Sequence, residues 1–273
     1  MMSFYIRRVL SIMVCISFVL LNSAFAAAAP PQVGAEAAIL MVAETKQILF
    51  EKNSHGIMYP ASTTKIMTLI TALEKGDPKK IVTISTKAAV CEGSSLELNA
   101  GDKLTLRDAE TGMMLVSGND AAEAIAEHVA GSIPAFVDMM NFNAEKIGAK
   151  NTHFSNPHGL PDPINHYTTA YDLALIASYA MGNPEFVKIV STRDYTVNFI
   201  NRNSLKVTNT NKLLKSYPGI NGIKTGYTND AGDCLVAGAK RNGVQLIAVV
   251  LNDDDRWIDA ANLLDYGFQK LGI

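Results

Sequence analysis

The sequence predicts an α/β fold, a mainly antiparallel sheet built from both chain ends with a helical lobe inserted between them. Three observations carry that reading: apolar strand-like runs near the N-terminus, a middle whose apolar residues recur at helical spacing, and a return to strand-like runs near the C-terminus. In order, residues 37–43 are apolar, Glu44-Thr45-Lys46 breaks the run, and 47–51 resumes it, a β-hairpin pattern. Pro60 introduces a helix from Ser62 to about Leu73, with Ile66, Leu69, Ile70 and Leu73 on one face. Residues 106–116, 121–130, 133–147 and 170–179 repeat the helical spacing, punctuated by Gly118, Gly131 and Pro134. The Asn-, Pro- and Gly-rich stretch 151–165 is longer than an ordinary connection and reads as a functional loop. Residues 195–200, 222–228, 235–239 and 244–251 are strand-like, with Asn242-Gly243 as the hairpin signal between the last two. A final helix over 257–270 turns Leu263, Leu264, Tyr266 and Phe268, with Leu271 beyond it, inward. The helical lobe spans about 60–185, and a cleft between lobes is where a site is expected.

At the N-terminus, Arg7 and Arg8 precede an apolar run at 9–21 and the small-residue stretch 23–26. That is the layout of a secretory signal peptide cut after Ala26, and the run is shorter than the ~20 apolar residues that span a bilayer. Val14 stands where a lipoprotein signal needs a small residue, so Cys15 leaves with the peptide. Removing residues 1–26 takes two arginines and no acid, so 24 bases against 26 acids become 22 against 26, a formal charge of −4. That balance argues against a nucleic-acid binder or a polybasic membrane patch. The remaining 247 of 273 residues divide into an Ala/Pro-rich leader, 27–36, and one domain, 37–273, long enough for a sizeable core. Cys91 and Cys234 read as separate small hydrophobes, although an oxidising compartment would allow a bridge, and they lack the number and spacing of a zinc site. No metal and no cofactor is expected.

Three short motifs follow in order: Ser62-Thr63-Thr64-Lys65, Ser117-Gly118-Asn119 and Lys224-Thr225-Gly226. Singly, each has an ordinary explanation. Ser62 alone reads as a helix cap and Lys65 as a solvated lysine, Ser117 as a cap for the next helix, and Lys224 as part of a surface strand. Together they describe nucleophilic catalysis. Serine and lysine three apart at a helix start share a face, so Lys65 can reach the Ser62 hydroxyl. A lysine acts as a base only when burial and a nearby cation, here Lys224, lower its pKa. Ser117 would relay the proton to the leaving amine, Asn119 would hold a substrate amide, Lys224 and Thr225 a carboxylate, and Gly226 admits close backbone approach.

Sets of this kind occur in penicillin-binding proteins and β-lactamases, and the match is wider than the three motifs. The blocks 60–68 (PASTTKIMT), 116–122 (VSGNDAA), 156–160 (NPHGL) and 221–228 (NGIKTGYT) resemble those of the serine-type D-Ala-D-Ala carboxypeptidases, the low-molecular-mass penicillin-binding proteins, over essentially 37–268. The resemblance implies a penicillin-binding protein / β-lactamase-like (DD-peptidase) fold, with Ser62 acylated and Lys65 its base. It implies an oxyanion hole of the Ser62 and Tyr227 backbone N–H groups. His158 would order its loop or position the deacylating water, and Arg256 is a candidate for the substrate's terminal carboxylate, with a surface ion pair as the alternative. The partners implied are a peptidoglycan stem peptide ending in D-Ala-D-Ala and, as covalent inhibitors, β-lactams. Asp233 departs from the aromatic residue that many relatives carry there.

A serine β-lactamase and an inactive penicillin-binding scaffold or sensor are the competing classes. Against the first, no E-x-x-L-N loop follows Ser117-Gly118-Asn119. The last segment lacks the basic polar face of an amphipathic membrane anchor, so the expectation is an exported protein, in the cell envelope or secreted, without a C-terminal anchor.

Overall fold

The computed structural model describes residues 29–273; the expected signal peptide lies outside the described residues. In chain order the elements are β1 (Ala37–Val42), β2 (Ile48–Lys52), a 3-10 turn (Ala61–Thr64), α1 (Lys65–Lys75), β3 (Ile81–Thr83), α2 (Thr86–Ala89), β4 (Lys103–Thr105), α3 (Leu106–Val116), α4 (Asn119–Ala130), α5 (Ile133–Ile147), α6 (Ala170–Ala180), α7 (Pro184–Val190), β5 (Asp194–Val197), β6 (Leu205–Thr208), α8 (Leu213–Ser216), β7 (Ile220–Thr228), β8 (Gly232–Arg241), β9 (Val244–Leu251) and α9 (Arg256–Lys270). The main sheet runs β2-β1-β9-β8-β7, antiparallel throughout, so strands from the two ends of the chain meet at the β1–β9 pair.

The sheet is covered on both faces, which explains why β1 and β9 are continuous apolar runs. Ile39, Met41, Ile247 and Val249 point into the core shared with the helical lobe, and Leu40, Val42, Leu246 and Ala248 into a second core closed by Leu263, Leu264 and Phe268 of α9. In the lobe, Ile66, Leu69 and Ile70 of α1 are fully buried among α3, α4, α5 and α6. The helix starts are set by short polar side chains: Thr105 accepts from Asp108 N–H, Ser132 from Ala135 N–H, and Thr169 from Asp172 N–H.

The departures from expectation have local causes. The helix expected from Ser62 begins as a 3-10 turn and becomes α-helical only at Lys65. The strand expected over 195–200 ends at Val197, because Asn198 N–H turns to the Asp108 carboxylate, 3.0 Å away. The strands β3, β4 and β6 carry no sequence signal, being only three or four residues long. Residues 33–36 have no regular structure yet are docked: Val33 packs against the α9 core, and Gly34 N–H donates to Asp259.

Candidate active site

Pro60 leads into a tight turn in which Ala61 adopts a left-handed φ of 46° and presents Ser62 at the head of α1. Lys65, one helical turn on, is fully buried. Its Nζ lies 2.9 Å from Ser62 Oγ, 2.7 Å from Asn119 Oδ1 and 2.8 Å from the His158 carbonyl. Burial first, and the Lys224 cation second, hold Lys65 well below an ordinary lysine pKa.

Ser117 ends α3 in a left-handed conformation (φ 65°), and Gly118 links it to α4. The turn aims two side chains differently. Asn119 reaches Lys65 through Oδ1 and donates through Nδ2 to the Glu92 carbonyl at 2.6 Å. The buried Ser117 hydroxyl makes no side-chain hydrogen bond among the described residues. Asp120, for which the sequence carries no signal of a site role, takes the Leu96 and Leu98 N–H groups and the Ser95 hydroxyl at 2.6–3.1 Å, pinning the 91–99 segment beside the site.

The third motif lies on β7, the edge strand, whose outer side carries backbone groups without a ladder partner. Lys224 is 1% exposed; its Nζ donates to the Thr225 carbonyl at 2.9 Å, and burial, then the Arg256 cation, push it down to about 7. Thr225 Oγ1 is 2.9 Å from Thr210 Oγ1, a second neighbour without a sequence signal. Gly226 is pressed against the Ser62 turn: a Cβ there would lie 3.1 Å from Pro60 O, Ala61 Cβ and Ser62 N. Tyr227 follows, its side chain 61% exposed.

His158 belongs to a loop folded around Asn156, whose Oδ1 accepts the His158 and Gly159 N–H groups. Leu160 N–H donates to His158 Nδ1 at 3.2 Å, so Nε2 carries the ring proton and faces Glu123 Oε1 at 3.5 Å. Desolvation keeps this ring below the ordinary histidine pKa. Gly159, at φ +95°, abuts the Ala61 carbonyl. Its place in the N-P-H-G-L block was the only signal of that role, and His166, which bonds Thr64 Oγ1 at 2.8 Å, offered none. Arg256 is drawn inward: Nη1 donates to the Gly226 carbonyl at 2.7 Å and pairs with Asp233 at 3.1 Å. This ion pair is only partly exposed and links the β7 backbone, through Arg256, to Asp233 on β8. Cys91 and Cys234 are free thiols.

The D-alanyl-D-alanine carboxypeptidase family profile matches residues 24–255. D-alanyl-D-alanine carboxypeptidase DacF of Bacillus subtilis is 38% identical over 86% of this chain and 62% of its own length. DacD of Escherichia coli is 39% identical over 88% of this chain and 65% of its own. The chain thus spans somewhat under two thirds of these curated relatives. Among solved structures, the Streptomyces K15 DD-transpeptidase superposes with a TM-score of 0.84 at 34% identity, covering 88% of this chain and 99% of that one. The D-alanyl-D-alanine carboxypeptidase from Mycobacterium tuberculosis H37Rv gives 0.84 at 32%, covering 89% and 94%. The penicillin-binding DD-peptidase fold expected from the motifs is therefore the one observed, and this chain belongs to the D-alanyl-D-alanine carboxypeptidase family.

Proposed function

We propose that the chain is a serine D-alanyl-D-alanine carboxypeptidase that removes the terminal D-Ala from peptidoglycan stem peptides through an ester on Ser62. The observation that carries this is the surroundings of Lys65 Nζ. A neutral amine has two N–H bonds and one lone pair; Asn119 Oδ1 and the His158 carbonyl, both acceptors only, take the two N–H bonds. Nζ donates its third N–H to Ser62 Oγ at 2.9 Å while it is an ammonium, and once that proton is lost the lone pair faces the hydroxyl and can take its proton.

In the proposed cycle Ser62 Oγ attacks the carbonyl of the penultimate D-Ala while its proton passes to Lys65. Charge developing on that carbonyl oxygen meets the Ser62 and Tyr227 N–H groups. The Ser117 hydroxyl relays the proton to the departing amine, Asn119 holds a substrate amide, and Lys224 with Thr225 holds the terminal carboxylate. Water then hydrolyses the ester. His158 orders the loop, and Arg256 acts by bracing β7. A β-lactam carries an acyl group and a carboxylate in similar relation, so it acylates the same oxygen.

The substrate and the signal-peptide layout together support an extracytoplasmic location. No helix of the described residues is long and apolar enough to cross a membrane. The test is covalent labelling by fluorescent penicillin together with mass spectrometry of a defined pentapeptide. The parent should be labelled and should remove one alanine, and Ser62→Ala should do neither. Persistent labelling of Ser62→Ala would refute the nucleophile, and transfer to an added amine in place of hydrolysis would make the protein a transpeptidase.

A further inference from the structure

Cys91, Glu123 and His158 come from three segments: the start of the 91–99 segment, helix α4 and the 151–165 loop. Yet the thiol sulfur, a carboxylate oxygen and an imidazole nitrogen all lie within 4.8 Å of one another. His158 Nε2 and Glu123 Oε1 are 3.5 Å apart, close to the ~3.3 Å between two ligands about 2 Å from one tetrahedral ion. His158 is buried, and Cys91 and Glu123 are partly exposed, which leaves an approach from solvent. Cys91 is unbridged and has no part in the proposed cycle. The spacing of the cysteines in sequence gave no zinc signal, because two of the three donors are a glutamate and a histidine that only the fold brings together.

We propose that Cys91, Glu123 and His158 form a site for a thiophilic divalent cation of the Zn2+ class, and that its occupancy slows acylation of Ser62. One thiolate, one imidazole and one carboxylate, with a fourth position open to water, suit that class, whereas Mg2+ and Ca2+ favour all-oxygen sets. Binding of the cation releases the Cys91 thiol proton to solvent.

The effect on acylation follows from the His158 tautomer. A cation needs the Nε2 lone pair, so the ring proton must move to Nδ1, where it opposes Leu160 N–H at 3.2 Å. Residues 158–160 must then rearrange, and the His158 carbonyl in that segment is one of the two acceptors holding Lys65. This second half rests on the catalytic reading above; the first half does not.

The test uses the purified full chain kept reduced. Co2+ should produce thiolate-to-cobalt absorption in the near ultraviolet, displaced by Zn2+ and lost in Cys91→Ala. Zn2+ should slow fluorescent-penicillin labelling on the order of tenfold in the parent and leave Cys91→Ala unaffected. No thiolate band at millimolar cobalt, or equal inhibition of Cys91→Ala, would overturn the site. A band without inhibition would overturn the coupling. Absence of labelling in both proteins before any cation is added would overturn the catalytic reading instead, with the cobalt band still deciding the site.

Discussion

Replacing Gly159 by alanine should damage both stability and acylation, because one added methyl group meets the backbone that presents Ser62. The new Cβ would lie 1.8 Å from the Ala61 oxygen, 2.3 Å from the Ala61 carbonyl carbon and 3.0 Å from Ser62 N, on a residue whose φ is +95°. The left-handed backbone costs ~1–2 kcal/mol for an L-residue. Separating the two loops adds ~1–3 kcal/mol of overpacking. Together these come to about 2–5 kcal/mol, a large part of a typical folding stability, and lower Tm by roughly 4–20 °C for a chain of this size. The separation also moves Ser62 by up to about 1 Å, enough to slow acylation ~100-fold. Calorimetry and stopped-flow penicillin labelling measure the two effects. Gly148→Ala is the control: its φ is +92°, but nothing lies within 4 Å of its added Cβ, so it should lose only the backbone strain and label normally. If Gly159→Ala behaves like Gly148→Ala in both assays, the 156–160 loop does not buttress the Ser62 turn.

Three further outcomes follow from the same geometry. Labelling should rise with pH through the depressed Lys65 pKa, and Lys65→Arg, whose guanidinium stays charged, should label at least ~1000-fold more slowly; a near-parental rate would remove Lys65 as the base. Asp120→Ala orphans the Leu96 and Leu98 N–H groups and should cost ~3 kcal/mol or more in urea unfolding, with slower labelling as the Glu92 anchor of Asn119 loosens. Burial and the Arg256 cation push Lys224 down to about 7 in the folded chain, against 10.5 for a free lysine, so between those values the unfolded chain binds more protons and stability rises with pH. Lys224→Met should therefore be more stable than the parent at pH 6, with the gap narrowing toward pH 10; a gap constant with pH would mean that Lys224 titrates normally in the folded protein.

What the sequence made legible depended on how locally each feature is encoded. The strands β1 and β9 and the helices α3 and α5 showed their bounds closely, because continuous apolar runs and 3.6-residue spacing record which faces are buried. The three-residue strands β3 and β4 carry too few residues for any period to show, and their pairing depends on a partner about twenty residues away. The site divides along the same line. Ser62 and Lys65 were readable as a pair because helix geometry alone joins residues three apart. The acceptors that direct Lys65 are Asn119, 54 residues on, and the His158 carbonyl, 93 residues on. A backbone carbonyl leaves no trace in residue identity, so its contribution had to come from the fold. Asp120 and Gly159 lay inside recognisable blocks but acted through backbone contacts that a motif does not specify. For Arg256 the sequence left open a carboxylate ligand or a surface pair. The structure places it between Asp233 and the Gly226 carbonyl, where a cation also depresses the pKa of buried Lys224. Arg256 is therefore tied to the site through the Gly226 carbonyl of β7, beside the Ser62 turn, and its cation makes the nearby Lys224 easier to deprotonate.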